Sequence, residues 1–278
     1  MKNGATLYAL NCFLGGGDLL KHTIKIKCLT PFLTGVFLFV QTAFFIKPVK
    51  EWDALSSYTT YFDASEKGRS ENIRIAAMLI DDIIIQPYGE FSFNQTVGER
   101  TKTAGFQNAK IIMDGQYVLG TGGGVCQVST TLYNAALKSG IEVTEFHPHS
   151  LRVGYVAPSR DAMVSSHSDL KLFNGKSHPV RLCASVQKGS VKIAFFGKND
   201  GDRYEIISKT LGEIPPPAPI LKESEREEIL REGKSGLKSE AYLERYKNGK
   251  LLSRKRLRVD EYRPVQGIIA KKIKNLRE

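Results

Sequence analysis

The chain has 278 residues, 40 basic against 29 acidic, and four cysteines, so it has room for one large domain or two modest ones and too few cysteines for a disulfide-dense scaffold. Its net charge of +11 sits at the ends: residues 1–50 carry six basic and one acidic side chain, 51–200 fifteen of each, and 201–278 nineteen basic and thirteen acidic. With no zinc-finger spacing and no basic stripe interleaved with aromatics, nucleic acid is excluded as a partner, and a membrane surface and anionic wall polymers fit the two basic ends.

Cys28 to Ile46 is a run of 19 uncharged residues preceded by Lys21, Lys25 and Lys27. At about 1.5 Å per residue it spans roughly 28 Å, enough for a bilayer core. A cleaved signal peptide is the rival reading, but the run ends on bulky Phe44-Phe45-Ile46 rather than on an A-x-A-like site. The expectation is a retained single-pass anchor over 28–46, a cytoplasmic segment over 1–27, and the main domain outside the cell membrane. Residues 48–68 are an exit segment. "SENIRIAAMLIDDIIIQP" puts Ile73, Ala76, Ala77, Ile80, Ile83 and Ile84 on one helical face, with Ser70 as N-cap and Pro87 beyond the end.

"YGEFSFNQTVG" alternates as a strand leading to a turn, and "AKIIMDGQYVLGTGGG" is a hairpin turning at Asp114-Gly115. A second helix follows Cys126, with Val128, Leu132, Ala135 and Ala136 at helical spacing and Gly140 placed to stop it. Then come strand-like runs, "IEVTEFHPHSLRVGYV", "AMVSS", "DLKLFN" and "PVRLCASVQKGSVKIAFFG", with turn signals at Asn174-Gly175 and Lys188-Gly189. Helices first and antiparallel strands later make an α+β domain. "GEIPPPAPIL" is a stiff linker, and the charged alternation around Asn248-Gly249 beyond it reads as a hairpin in a small, elongated β module.

The chemistry gathers around Cys126. Gly122, Gly123 and Gly124 permit positive φ and leave space for a ligand, and a cysteine at a helix N-terminus is favoured as thiolate. The plainer reading is a small residue filling a gap. A cysteine nucleophile needs a base, a group to orient that base, and oxyanion donors. Of five histidines, His22 lies in the N-terminal segment and His167 and His178 sit near strand ends. His147 and His149 stand two apart in "HPHS", on one face of an extended segment. Either can be the base, both can ligate zinc beside the thiolate, or one can serve a structural hydrogen bond. In "SRDA", Asp161 can orient a histidine and Arg160 can bind a substrate carboxylate, or the two form a surface ion pair. The amides of Val125 and Cys126 are the natural oxyanion donors. Cys183, in an alternating run, reads as a core residue.

"GEFSFNQTVGERTKTAGFQNA", "GTGGGVCQVSTTLYNAAL" and "HPHSLRVGYVAPSRDA" together resemble the VanW-like domain of bacterial cell-envelope proteins, a family first noted in a vancomycin-resistance cluster. The resemblance covers roughly residues 58–198 within a domain of 48–200. Residues 203–278 are similar to the five-glycine extracellular module, with Gly233, Gly236 and Gly249 in place and the usual late glycine replaced within "IIAKKIK". Family members usually carry glycine where this chain has Ser159.

The resemblance implies a peptidoglycan-modifying L,D-transpeptidase, with Cys126 as nucleophile, His149 or His147 as base, and Asp161 in support. Gly122, Gly123, Gly124, Val125, Gln127, Ser129 and Arg160 are the substrate-binding candidates, and no cofactor or metal is called for. The implied partners are peptidoglycan stem peptides at the site, cell-wall polymers at the C-terminal module, and the membrane at residues 28–46. The rival readings are a cysteine peptidase hydrolysing wall peptides and a non-catalytic peptidoglycan-binding module.

Overall fold

The computed structural model describes residues 52–272, apart from Asp114 and Glu225. The expected anchor over 28–46 lies outside the described residues, and among those residues no helix is long and apolar enough to cross a membrane.

The elements, in order, are β1 (Asp53–Tyr61), α1 (Lys67–Leu79), β2 (Ile83–Ile85), β3 (Glu90–Ser92), α2 (Phe93–Val97), β4 (Asn108–Met113), β5 (Gln116–Thr121), α3 (Val125–Lys138), β6 (Glu142–Glu145), β7 (Lys171–Phe173), β8 (Val180–Gln187) and β9 (Ser190–Gly197). The C-terminal part adds β10 (Asp202–Ile214), β11 (Ile220–Ser224), β12 (Glu228–Arg231), β13 (Gly236–Lys247), β14 (Lys250–Tyr262) and β15 (Ile268–Lys272). The described chain is thus mostly β-sheet with few helices, more strand-rich than the α+β expectation. The main sheet runs β1-β9-β8-β2, smaller ones run β3-β7-β6 and β4-β5, and the C-terminal strands form β10-β13-β14 and β11-β15-β12.

Helix α3 is the centre of the core. Val128, Leu132, Ala135 and Ala136, the four apolar residues at helical spacing, are fully buried, and so are Ser129, Thr130, Thr131 and Asn134 on its other faces. A helix buried all round must satisfy its polar side chains internally. Here Thr131 Oγ1 pairs with Thr60 Oγ1 of β1 at 2.8 Å, Ser129 Oγ donates to Ala162 O at 2.6 Å, and Asn134 Nδ2 donates to Arg160 O at 2.8 Å. These bonds tie α3 to β1 on one side and to the loop carrying Asp161 on the other. Gly140 ends the helix at φ +66, a left-handed backbone natural to glycine.

The hairpins at Lys188-Gly189 and Asn248-Gly249 form where the turn dipeptides place them, and β4 pairs β5 in register across 114–115. Elsewhere the chain departs from the sequence pattern. Helix α1 starts at Lys67, so Ser70 lies within it and is not its cap; the N-cap is Glu66, with no side-chain bond. Ile83 and Ile84 are not on its face but in β2, because Asp82 turns the chain at φ +61 and the β-branched run then pairs with β8. "FNQTV" is a short helix rather than strand, capped by Ser92 Oγ accepting from Gln95 N at 3.1 Å. The exit segment contains β1, which completes the main sheet against β9. Residues 146–170, read as strand-like, are irregular and held by side-chain bonds.

Candidate active site

Gly122 and Gly124 adopt φ +86 and +109, and a Cβ on Gly123 would stand 2.5 Å from Lys110 O and 2.8 Å from Ala109 C of β4. The middle glycine is therefore required by close packing against the hairpin, not by an approaching ligand. Val125 N donates back to Gly122 O at 3.1 Å and Gln127 N to Gly124 O at 2.9 Å. Of the two amides read as oxyanion donors, Val125 is engaged in this turn, which leaves the amide of Cys126. Cys126 stands in the first turn of α3, on the wall of a cleft of about 1090 Å³, and its thiol donates to Val164 O at 3.4 Å.

His149 lines the same cleft. Its Nδ1 lies 2.7 Å from Asp161 Oδ2, which also accepts the His149 backbone N–H at 2.7 Å. With Nδ1 held by the carboxylate, Nε2 is the ring nitrogen left for the neighbouring Cys126, which shares the cleft wall and interacts with the ring electrostatically. His149 is 6% exposed and Asp161 0%, so this line of three groups is sealed on the side away from the cleft.

Its electrostatics follow from that burial. Burial alone pushes the Cys126 thiol up, but the hydrogen bond and charge of His149, the Val164 carbonyl contact and the Arg100 cation outweigh it and bring it below its ordinary value. Burial would likewise lower His149, yet its bonds to Asp161 and Cys126 carry it up to about 9. Burial would raise Asp161, but the hydrogen bond and charge of His149, with Arg258 and Tyr262, hold it at about 2. The two shifts run in the same direction, toward a thiolate on Cys126 beside an imidazolium on His149.

His147 does not join the group. Its Nε2 pairs with Glu145 Oε1 at 3.0 Å and it is half-exposed. The period-two argument placed both histidines on one face, but the segment is not a strand, and Pro148 separates two differently directed rings. Among the described residues no three His, Cys, Asp or Glu side chains stand together as metal ligands. Cys183 is buried in β8 and forms no disulfide with Cys126.

Of the remaining candidates, Gly122, Gly123, Gly124, Val125 and Gln127 line the cleft. Gln127 is also a structural tie, donating to Thr60 Oγ1 and Tyr61 O and accepting from Arg69 at 2.6 Å. Ser129 and Arg160 do not line it: Ser129 is buried against Ala162, while Arg160 donates to Asn134 and lies over the Tyr58 ring. Sequence reasoning missed Arg100, in the "GER" at 98–100, which faces Cys126 across the cleft and is oriented by Asn94 Oδ1. Asn94 in turn is anchored by Ser165 O and Ser168 O, each at 2.9 Å. Tyr155, with Arg69 over its ring, forms the opposite wall.

Ser159 sits at φ +58 and is fully buried, so the position demands a left-handed backbone of the kind glycine adopts most readily. Its hydroxyl is paired with Ser239 Oγ at 2.7 Å, an interaction glycine cannot make.

Residues 68–196 match the family described as VanW like protein. Over 176 residues the chain is 39% identical to the uncharacterized protein YoaR of Bacillus subtilis, covering 63% of this chain and 56% of that protein. Over 100 residues it is 25% identical to the vancomycin B-type resistance protein VanW of Enterococcus faecalis, covering 36% of each. The chain thus spans about half, or less, of the length of these relatives. A solved G5 domain of an IgA1 protease is similar over 28% of this chain and 100% of that domain, at 21% identity and a TM-score of 0.19. The segment that carries Cys126, His149 and Asp161 lies within the residues that match the VanW-like protein family.

Proposed function

We propose that this protein is a cysteine L,D-transpeptidase that joins peptidoglycan stem peptides through a thioester on Cys126. The observation that carries this reading is the half-buried Cys126 on the cleft wall at the start of α3, with buried His149, paired to Asp161, lining the same site. The Cys126 thiolate attacks the carbonyl of the third residue of a tetrapeptide stem. The tetrahedral oxyanion is met by the Cys126 amide and by Arg100, which makes no ion pair among the described residues. As the C–N bond breaks, the His149 imidazolium gives its proton to the departing D-alanine amine, leaving a thioester and a neutral imidazole. A side-chain amine of a second stem then attacks the thioester, His149 takes that amine's proton, and the C–S bond breaks to restore the ion pair. Splitting one exchange into two acyl transfers is what a nucleophile contributes.

In this reading the uncharged run 28–46 anchors the domain outside the cell membrane, and the basic C-terminal module, with Lys250, Arg254, Lys255 and Arg256 exposed along β14, is suited to anionic wall polymers. Product analysis tests the reaction. Incubated with disaccharide tetrapeptides, the full chain is expected to release D-alanine and form dimers linked through third residues. Tripeptide monomers alone would replace transfer by hydrolysis, and unchanged donor would leave a binding module.

A further inference from the structure

Asp161 has two carboxylate oxygens, and the main domain occupies one of them. Oδ2 takes both bonds from His149, whereas Oδ1 accepts the hydroxyl of Tyr262, the last residue of β14, at 2.5 Å. The same hydroxyl accepts the Ser159 N–H at 2.7 Å. Arg258 of β14 donates from Nη1 to the Asp161 backbone carbonyl at 2.6 Å, keeps Nη2 3.6 Å from Oδ1, and is itself held by Asp260 at 2.6 Å. Its guanidinium lies over Phe146, next to the "HPHS" segment. Three further bonds from the C-terminal strands hold the loops on either side: Ser239 Oγ to Ser159 Oγ, Ser208 Oγ to Pro158 O at 2.6 Å, and Arg263 N to Ser150 O at 2.8 Å. Tyr262, Arg258 and Asp161 are all buried, so none of these groups can substitute water for a lost partner without rearrangement.

We propose that Tyr262 and Arg258 are positioning residues of the cysteine centre, through which the C-terminal strands hold Asp161 and, by way of Asp161, aim the His149 ring at Cys126. The strands beyond the main domain are then a working part of the site, in addition to any hold they have on the wall. The chemistry is that of a buried carboxylate with a fixed job. Donors on Oδ1 keep it ionised and stop it rotating, and an ionised, fixed Asp161 favours the imidazolium that keeps Cys126 deprotonated. Removing the Tyr262 hydroxyl frees one oxygen of the carboxylate, weakens its hold on His149 and returns the thiol toward its ordinary behaviour.

This inference rests on the ion-pair reading of the site, and the experiment separates the two. The rate of Cys126 alkylation by iodoacetamide is measured against pH on the full chain, read by mass at the Cys126 peptide because Cys12 and Cys28 are also present. Wild type is expected to inflect well below the ordinary thiol value of about 8.5. Tyr262→Phe, checked for an intact melt, is expected to move the inflection up by about one pH unit, a tenfold loss of thiolate on the rising limb. In an Asp161→Asn background the same substitution is expected to add nothing, because both act through one carboxylate. A folded Tyr262→Phe variant with the wild-type profile, or an additive shift in the double variant, would overturn the inference. If Tyr262→Phe does not fold, Arg258→Lys carries the same expectation, and an unshifted profile there would overturn it equally. An inflection near 8.5 in the wild type itself would remove the ion pair beneath it.

Discussion

Cys126→Ala is expected to fold, melt within about 1 kcal/mol of the parent, and show no transpeptidation. The small stability change follows from the position: the side chain lies on the cleft wall, and its hydrogen bond to Val164 O is a long thiol contact of 3.4 Å. The large functional change follows from its role, because no other described cysteine faces the cleft and Cys183 is buried in β8. Without the sulfur no acyl intermediate forms. The residual rate is then set by the oxyanion donors and binding alone, a fall of at least about 10⁴-fold. Single-turnover release of D-alanine from a tetrapeptide donor, beside a thermal melt, checks both halves. An alanine variant that still releases D-alanine at more than a few per cent of the parental rate would remove Cys126 from the mechanism.

His149→Ala is expected to lower acylation by about 10²–10⁴-fold, the range for a positioned general acid–base group. It is also expected to change the shape of the pH dependence. Acylation needs a thiolate to attack and an imidazolium to protonate the leaving amine. The rate in the parent therefore rises as Cys126 ionises, at a pH below the ordinary thiol value, and falls as His149 loses its proton near pH 9. The variant loses the falling limb, and its rising limb moves toward higher pH because the cation beside the thiol is gone. His147→Ala is the control. Its ring pairs with Glu145 and does not line the cleft, so activity is expected to stay within a few-fold of wild type with both limbs in place. A His147 variant that loses the limbs while the His149 variant keeps them would reverse the assignment.

The parts of this molecule that were legible beforehand are those set by neighbours in the chain. The apolar spacing after Cys126, the glycine stop at 140 and the turn dipeptides at 188–189 and 248–249 are local signals, and α3 and the β8–β9 and β13–β14 hairpins follow them. The reason for Gly123 was not legible, because the atoms it must clear belong to β4, some thirteen residues earlier. Strand β1 was missed for a similar cause. "DALSSYTTY" alternates too weakly to announce a strand, and only the edge of β9 makes it one. At the site, the HPHS and SRDA motifs supplied His149 and Asp161, but period-two reasoning assigned His147 to the same face, although the segment carries no ladder. Nothing local in the sequence distinguishes Arg100 from its neighbour Glu99, and it becomes a cleft cation through Asn94, which residues 165 and 168 tie down. Tyr262 and Arg258 meet Asp161 from about a hundred residues away, a separation at which no local pattern announces a contact.

The central claim is that Cys126 carries the substrate as a thioester, and intact-mass analysis of the full chain reads that species directly. Incubated with a disaccharide tetrapeptide without acceptor and quenched in acid, the protein is expected to gain the mass of the donor less D-alanine. The added mass should map to the Cys126 peptide and discharge when an amine acceptor is supplied. Release of D-alanine with no adduct on Cys126 at any quench time, and at an undiminished rate in the Cys126→Ala variant, would contradict the account.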